Sequence, residues 1–346
     1  MKLNIKNPFN PANHLIRLIR LITVLTMVQI FFSCNDVWKG EQYIKYISFV
    51  NSGYTNTYLN TNTPDGVVHY QIPVEVSGSA INDHDISVTL AIDPDTLIAY
   101  NKATYFTRTD LYELQLDSTH YSFPKGMTVV IPAGKCTGNL PIDFRPGDMD
   151  MVEKYVLPLT IASTSEYIPS PKRYYKKTLM RIVPFNYFSG TYSASAANIT
   201  AENISDQTTV ATREMRYVSD SAVFFYAGLC DENARDRASY KVRVQFNADG
   251  TLTFTADNPN IQFTPILTST NNGVTSNRCV WTETREMDAL QPFLEIRTIT
   301  MNIKYSYYDI SNPNYTVKYT VDGYYTLERR RNTQIPEEDM QEIFDW

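Results

Sequence analysis

Ile299-Thr300-Met301-Asn302-Ile303-Lys304-Tyr305-Ser306-Tyr307 decides the fold class. Apolar residues hold every odd position and polar residues every even one. That is the period of a strand with one covered face. Asn312-Pro313-Asn314 turns the chain, and Tyr315, Val317, Tyr319 and Val321 return against Thr316, Lys318 and Thr320. The spacing predicts two long neighbouring strands of an antiparallel sheet, with Tyr305, Tyr307, Tyr315 and Tyr319 in its core.

Working outward, the same parity recurs. Val242, Val244 and Phe246 alternate with Lys241, Arg243 and Gln245. Asn247-Ala248-Asp249-Gly250 then reads as a hairpin turn, with Gly placed for positive φ. Further upstream, Val68, Tyr70, Ile72, Val74 and Val76 alternate with polar residues or Pro73, and so do Ile86, Val88, Leu90 and Ile92 with Ser87, Thr89 and Ala91. Val129 to Ile131, Leu140 to Phe144, Tyr155 to Ile161 and Thr178 to Val183 continue the series. Pro158 marks an expected edge or bulge. Asp93-Pro94 carries a helix-start signal, and one or two turns are expected there. Pro184 to Tyr187 reads as a linker between halves.

Composition agrees with this pattern. Hydrophobic residues make up 43% and charged residues 20%, which describes a folded chain. A length of 346 residues suits two domains. Tyr is over-represented, at 25 against 16 Phe and 3 Trp. Residues 1–33 hold Lys2, Lys6, Arg17 and Arg20 and no acid, followed by an apolar run from Leu21 to Phe32. The run is shorter than the roughly 20 residues of a spanning helix, so the segment reads as an export signal. Without it, the net charge of -6 becomes -10. So acidic a chain lacks the basic face a nucleic-acid partner needs. Cys136, Cys230 and Cys279 lie too far apart for a C-x-x-C site. They read as buried small hydrophobes, with a Cys230–Cys279 disulfide as the competing reading.

Phe31-Phe32-Ser33-Cys34 resembles a bacterial lipobox, in which the Cys becomes the lipidated first residue; Phe31 and Phe32 depart from the usual pattern. A cleaved secretory signal and an uncleaved anchor are the competing readings. Asn35-Asp36 and Glu41 resemble the acidic tract that directs Bacteroidetes lipoproteins to the outer face of the outer membrane. Ile131-Pro132-Ala133-Gly134 and Tyr155-Val156-Leu157-Pro158-Leu159 resemble a domain of unknown function that opens many Bacteroidetes lipoproteins of polysaccharide-utilisation loci. Phe188-Ser189-Gly190-Thr191-Tyr192, Tyr305 to Asp309, and Tyr319 to Gly323 running to Glu328-Arg329 resemble the domain that often follows it. The resemblance implies an all-β protein: an N-terminal immunoglobulin-like β-sandwich followed by a C-terminal lipocalin-like antiparallel β-barrel or sandwich. The expected boundaries are 1–33 for the signal, 34–40 for a tether, 41–183 and 188–332 for the domains, 184–187 for the linker and 333–346 for an acidic tail.

Few motifs of catalysis are present. The D-x-x-D-x-D-x-E run of a family 18 glycosidase is missing, as are H-E-x-x-H, G-x-S-x-G and a phosphate loop. The second half is also short of the roughly 250 residues of a (β/α)₈ barrel. Asp83-His84-Asp85 and Asp148-Met149-Asp150 fail the spacing of a calcium loop. No cofactor or metal is expected, and no catalytic residue is assigned. A pair of carboxylates brought together by folding remains the route to a hydrolase.

A binding role would rest on aromatics, because sugars offer C–H faces to rings and hydroxyls to amides and carboxylates. Trp281 follows the polar loop from Ser269 to Asn277. Tyr308 breaks the inward odd-numbered series next to Asp309. One of Tyr324 and Tyr325 must face outward. Trp281, Tyr308, Asp309 and Tyr324 are therefore the candidate glycan-binding residues, and Cys34 is the lipid-attachment site. The leading expectation is a non-catalytic surface glycan-binding lipoprotein of the outer membrane, facing the cell exterior. Its partners would be an oligosaccharide, a transporter complex and the membrane. The alternative is a subunit that docks on the transporter without contacting sugar.

Overall fold

The computed structural model describes residues 40–335 except 272, together with residues 15 and 19–23. Cys34 and the acidic tail beyond Ile335 lie outside the described residues. The described chain is almost entirely β, in two packed units.

The first unit is a sandwich of two sheets. One is built on β1 (Tyr46–Phe49), β3 (Val68–Val76) and β6 (Thr137–Phe144), with two-residue strands at its edges. The other runs β2 (Gly53–Asn60), β8 (Lys177–Phe185), β7 (Tyr155–Thr164), β4 (Ile86–Ile92) and β5 (Thr128–Ile131). Alternate residues of both sheets meet between them, among them Ile47, Val74, Val88, Leu140, Ile142 and Leu157. This is the burial that the period-two pattern requires.

Two local expectations change here. The helix α1 spans Pro94–Tyr105, three turns rather than one or two. Asp93 caps it, accepting from the Thr96 amide, while Leu97 and Asn101 anchor its inner face. Asn101 exchanges hydrogen bonds with the Glu113 backbone on both sides of its amide, so a polar residue holds the helix down where periodicity looks for an apolar one. Pro158 is not at an edge or a recorded bulge: β7 lies between β8 and β4. Pairing with β4 starts only at Leu159, and the short strand Leu114–Gln115 pairs only as far as Val156. Pro158 sits in the gap, where its missing N–H costs no ladder bond.

The second unit is an up-and-down barrel. In order around it are β9 (Gly190–Ala201), β10 (Thr212–Ser219), β11 (Ala222–Tyr226), β12 (Lys241–Phe246), β13 (Leu252–Ala256), β14 (Val280–Met287), β15 (Leu294–Asp309) and β16 (Val317–Asn332), which returns to β9. Closure between β13 and β14 is narrow. It uses the Thr251–Val280 bridge, with Leu252 N donating to Cys279 O at 2.7 Å and Trp281 N to Gly250 O at 2.8 Å. The odd-numbered face of β15 points inward: Ile299, Met301, Ile303, Tyr305 and Tyr307 are all buried, together with Val321, Tyr325 and Leu327 of β16. Opposite them, the pairing of β9 with β16 shifts between Ser193 and Ala196, and the buried set in β9 passes from Tyr192 and Ala194 to Ala197 and Ile199. Gly323 faces this shift because a Cβ there would lie 2.1 Å from Ala196 O.

Tyr315 is corrected from core to surface. It is 63% exposed, because β16 begins only at Val317, opposite Asp309. Tyr319 is half-buried and stacks on Tyr307 with ring centroids 5.6 Å apart.

The two units are fused rather than strung together. β11 is buried on both faces. Val223 and Phe225 join the barrel core, while Phe224 and Tyr226 join the sandwich core beside Met149, Met151 and Val152. Ionic contacts ring this seam. Arg216 bonds Met151 O at 3.1 Å and pairs with Glu214 and Glu232; Arg237 pairs with Glu153 at 3.2 Å; Lys241 pairs with Asp150 at 2.9 Å. At the crossing itself, Asn186 is buried. Its amide nitrogen donates to Ala222 O at 2.9 Å and to Ser219 O. Its amide oxygen accepts from Phe188 N at 2.9 Å and from Ser189 N and Oγ at 2.8 and 2.9 Å.

Candidate functional site

Toward Arg297, β15 and β16 run past the apolar barrel core, and the parity that fills the core continues with other chemistry. On the inward face Ile299 is followed by Arg297 and Glu295, and Leu327 by Arg329 and Arg331. Of these, Arg297, Ile299, Arg329 and Arg331 face a cleft of about 400 Å³ between the barrel and the sandwich. That is the size range of small-molecule sites, which concentrate at domain boundaries. Asn60, Thr61 and Asn62 line it from the sandwich, and Asn186 and Tyr187 from the crossing. Arg297, Ile299, Arg329 to Asn332 and Asp220 line it from the barrel.

Local structure holds each wall in place. Thr61 follows the end of β2, and both its amide and its hydroxyl donate to Phe185 O, at 3.0 and 2.9 Å. Tyr187 is half-buried, and its hydroxyl donates to Glu283 Oε1 at 2.7 Å. Its ring also meets Phe188 edge to face, with centroids 5.3 Å apart. Burial and the bond to Glu283 push the Tyr187 hydroxyl pKa up. Burial would raise the Glu283 pKa, but hydrogen bonds from Arg285 and Tyr187 outweigh it and keep the carboxyl ionised to lower pH than usual. Arg329 reaches over the crossing and donates to the carbonyls of Ser189 and Asn186. Burial pushes its pKa down, and nearby Arg297 adds to this. Arg297 Nε pairs with Glu295 at 2.8 Å. The result is a lining rich in rigid donors, with one partly buried ring.

The residues expected from sequence are not brought together. Trp281 sits half-buried at the barrel's closure, its indole N–H donating to Asn247 O at 3.0 Å and its ring set edge to face against Phe188 and Phe246. Tyr308 is half-buried on the outer face, opposite Lys318, whose ammonium lies 5.9 Å from its ring centre. Asp309 accepts from the Tyr240 hydroxyl at 2.7 Å and from Ser311 N at 2.9 Å, fixing the turn after β15. Burial would raise its pKa, and these bonds outweigh it and hold it below the usual value. Tyr324 points outward and is 44% exposed, while Tyr325 is fully buried. None of the four lines the interdomain cleft.

Cys230 and Cys279 are free thiols, not a disulfide; Cys279 is buried and Cys230 half-buried. Cys136 is exposed and is not the buried hydrophobe expected of it. Among the described residues no three His, Cys, Asp or Glu side chains converge as a metal site. Sequence reasoning passed over Arg297, Arg329, Arg331 and Tyr187. The signal was present in the parity of β16, which places Arg329 and Arg331 on the same face as Tyr325 and Leu327.

Comparison with known proteins bears on the whole described region. Residues 38–165 match the family model of DUF4973, a domain of unknown function, and residues 176–326 match a second model described only as a "-like, C-terminal" domain. No curated protein matches the chain. A Bacteroides ovatus structure of unknown function shares 36% identity at a TM-score of 0.76, covering 87% of this chain and 100% of that one. A Bacteroides ovatus multidomain protein including DUF1735 shares 35% at 0.74, with the same coverage. An auxiliary nutrient binding protein from Bacteroides thetaiotaomicron shares 30% at 0.73, covering 85% of this chain and 96% of that one. A DUF4973 sandwich fused to a C-terminal barrel, with identities of this order over almost the full length of these relatives, makes the chain a member of their family of two-domain Bacteroides proteins.

Proposed function

We propose that this protein is a non-catalytic glycan-binding lipoprotein, held on the outer face of the outer membrane by Cys34. It would keep oligosaccharide near a transporter and the glycosidases of a polysaccharide-utilisation system. The observation that carries the binding part is the interdomain cleft, with a fixed Tyr187 ring, amide side chains and guanidiniums along its walls. The relative named as an auxiliary nutrient binding protein supports the same reading. Anchoring rests on the basic flank, the apolar run and Ser33-Cys34. Retention of the folded mature chain on glycan-loaded affinity gels tests the binding part. Retention weakened by Tyr187→Ala is the expected result, and no retention on any of a broad set of plant and host glycans would sink it. Radiolabelled palmitate incorporation, lost in Cys34→Ala, tests the anchor.

A second reading, docking on a transporter without sugar contact, has one observation of its own. The β14–β15 turn carries exposed apolar residues at its tip, with Leu290 92% exposed beside Met287 and Phe293. Co-purification of an outer-membrane protein that is lost in Leu290→Glu and indifferent to Tyr187→Ala would favour it.

A further inference from the structure

We infer that the interdomain cleft selects an anionic sugar, one bearing carboxylate or sulfate groups; this rests on the glycan-binding reading above. The first observation is one of register. Arg297 lies directly opposite Arg329 across β15 and β16, and Arg331, the next inward residue along β16, lies opposite Glu295. Like charges placed opposite each other on one sheet face are normally destabilising. Here three guanidiniums share one face with a single carboxylate, Glu295, in a chain whose net charge is -6.

The second observation is the local charge balance. The cleft lining holds four arginines and one acid, Asp220. Two of those arginines have carboxylate partners beside the lining, Arg297 with Glu295 and Arg330 with Glu328, while Glu283 is held by Arg285 and Tyr187; four guanidiniums thus stand against three acids. A guanidinium donates hydrogen bonds and accepts none. A neutral sugar needs acceptors for its hydroxyl protons as well as donors for its oxygens. The oxygens of Asn60, Asn62 and Asn332 can accept from sugar hydroxyls, and the guanidiniums add donors beyond these, which suits a ligand with extra acceptors; a planar guanidinium matches carboxylate or sulfate two oxygens at a time. Partial burial in a cleft with low-dielectric walls also focuses a positive potential that the acidic surface elsewhere would oppose.

Isothermal titration with the folded mature chain tests this against matched pairs of ligands. Oligogalacturonate is set against its fully methyl-esterified form, and sulfated carrageenan oligosaccharide against neutral agaro-oligosaccharide. The expected result is at least tenfold tighter binding of one or both anionic members, weakening several-fold between 50 and 500 mM salt (values on the order of those over which screening grows strongly). Arg297→Gln combined with Arg331→Gln should erase that preference, and Arg331→Lys should retain part of it. Arg329 is left in place because it also braces the crossing, and an unchanged melting curve serves as the folding control.

If the carboxylate pair discriminates, the ligand is a uronate; if the sulfate pair does, it is a sulfated glycan. Equal binding of charged and neutral members overturns the anionic inference and leaves the glycan-binding reading standing. Anion preference that survives the double variant overturns the cleft as its site. Absence of binding to every oligosaccharide overturns both.

Discussion

Arg297 and Arg329 face each other across neighbouring barrel strands, on the face that from Ile299 and Leu327 onward holds core. Glu295 offsets Arg297 from its own strand, and an added anion would offset the second cation. Sulfate should therefore stabilise the fold over chloride at matched ionic strength, by about 1.4 kcal/mol when sulfate is ten times its dissociation constant, and raise the melting temperature accordingly. The increment should shrink in Arg297→Gln/Arg331→Gln. An equal increment in both proteins would mean that sulfate acts by general exclusion from the surface. Scanning calorimetry on the pair decides.

The Asn186 side chain ties the crossing to the barrel, bonding Ser219 O and Ala222 O on one side of its amide and Phe188 N and Ser189 on the other. Asn186→Ala would strand Ala222 O and Phe188 N, whose bonds to it are buried, and remove the bond to Ser219 O at the surface. A loss of about 3 kcal/mol is expected, since each buried unsatisfied group costs roughly 1–3 kcal/mol. Urea unfolding measures it. If the two units then melt separately, followed by Trp281 fluorescence for the barrel, the residue couples them as well as stabilising them.

Gly228 and Tyr307 set a second test. Gly228 has φ +56, and a Cβ there would lie 1.9 Å from the Tyr307 hydroxyl oxygen, which accepts from Leu229 N at 3.2 Å. Gly228→Ala should cost about 3 kcal/mol or more, combining backbone strain with forced movement of a buried ring. Gly126→Ala is the control: its φ is +73 but nothing lies within 4 Å, so only the backbone penalty of roughly 1 kcal/mol applies. Comparable losses in the two variants would argue against tight packing at Gly228.

The Asp93 cap predicts a pH dependence. Burial raises the pKa of this carboxyl, but bonds from Lys177 at 2.5 Å and from Thr96 outweigh it and lower the pKa below the usual 3.8. A lowered native pKa means that the stabilisation is complete above the unfolded value. It is lost as pH falls through the lower, folded value. Wild-type stability should therefore decline below about pH 4 (the usual carboxylate range), and Asp93→Asn should flatten that part of the profile. Asp93→Ala should cost about 1–2 kcal/mol at neutral pH through the lost cap.

Much of the fold was legible because a strand's period is short and survives local reading. The order Tyr324 outward, Tyr325 inward follows from parity counted along β16. Tyr315 shows where parity fails: the alternation runs through the turn, but burial starts only where pairing starts, at Val317. α1 was under-read because its inner face depends on Asn101 meeting Glu113 rather than on an apolar stripe. The cleft was the least legible part. Its walls come from residues 60–62, 185–187, 220, 297, 299 and 329–332, and no local pattern joins them. Trp281 drew attention by rarity, yet its indole N–H and both ring neighbours belong to the barrel's own packing.

The crossing at Asn186 also bears on how such proteins can change. Because both units supply walls of one cleft, neither carries its chemistry alone. A recombinant that grafts this barrel onto a relative's sandwich would inherit the arginines but not the Asn60–Asn62 edge that faces them. A ligand preference set by this cleft would belong to the pair, so the two halves are expected to diversify together rather than be exchanged as independent modules.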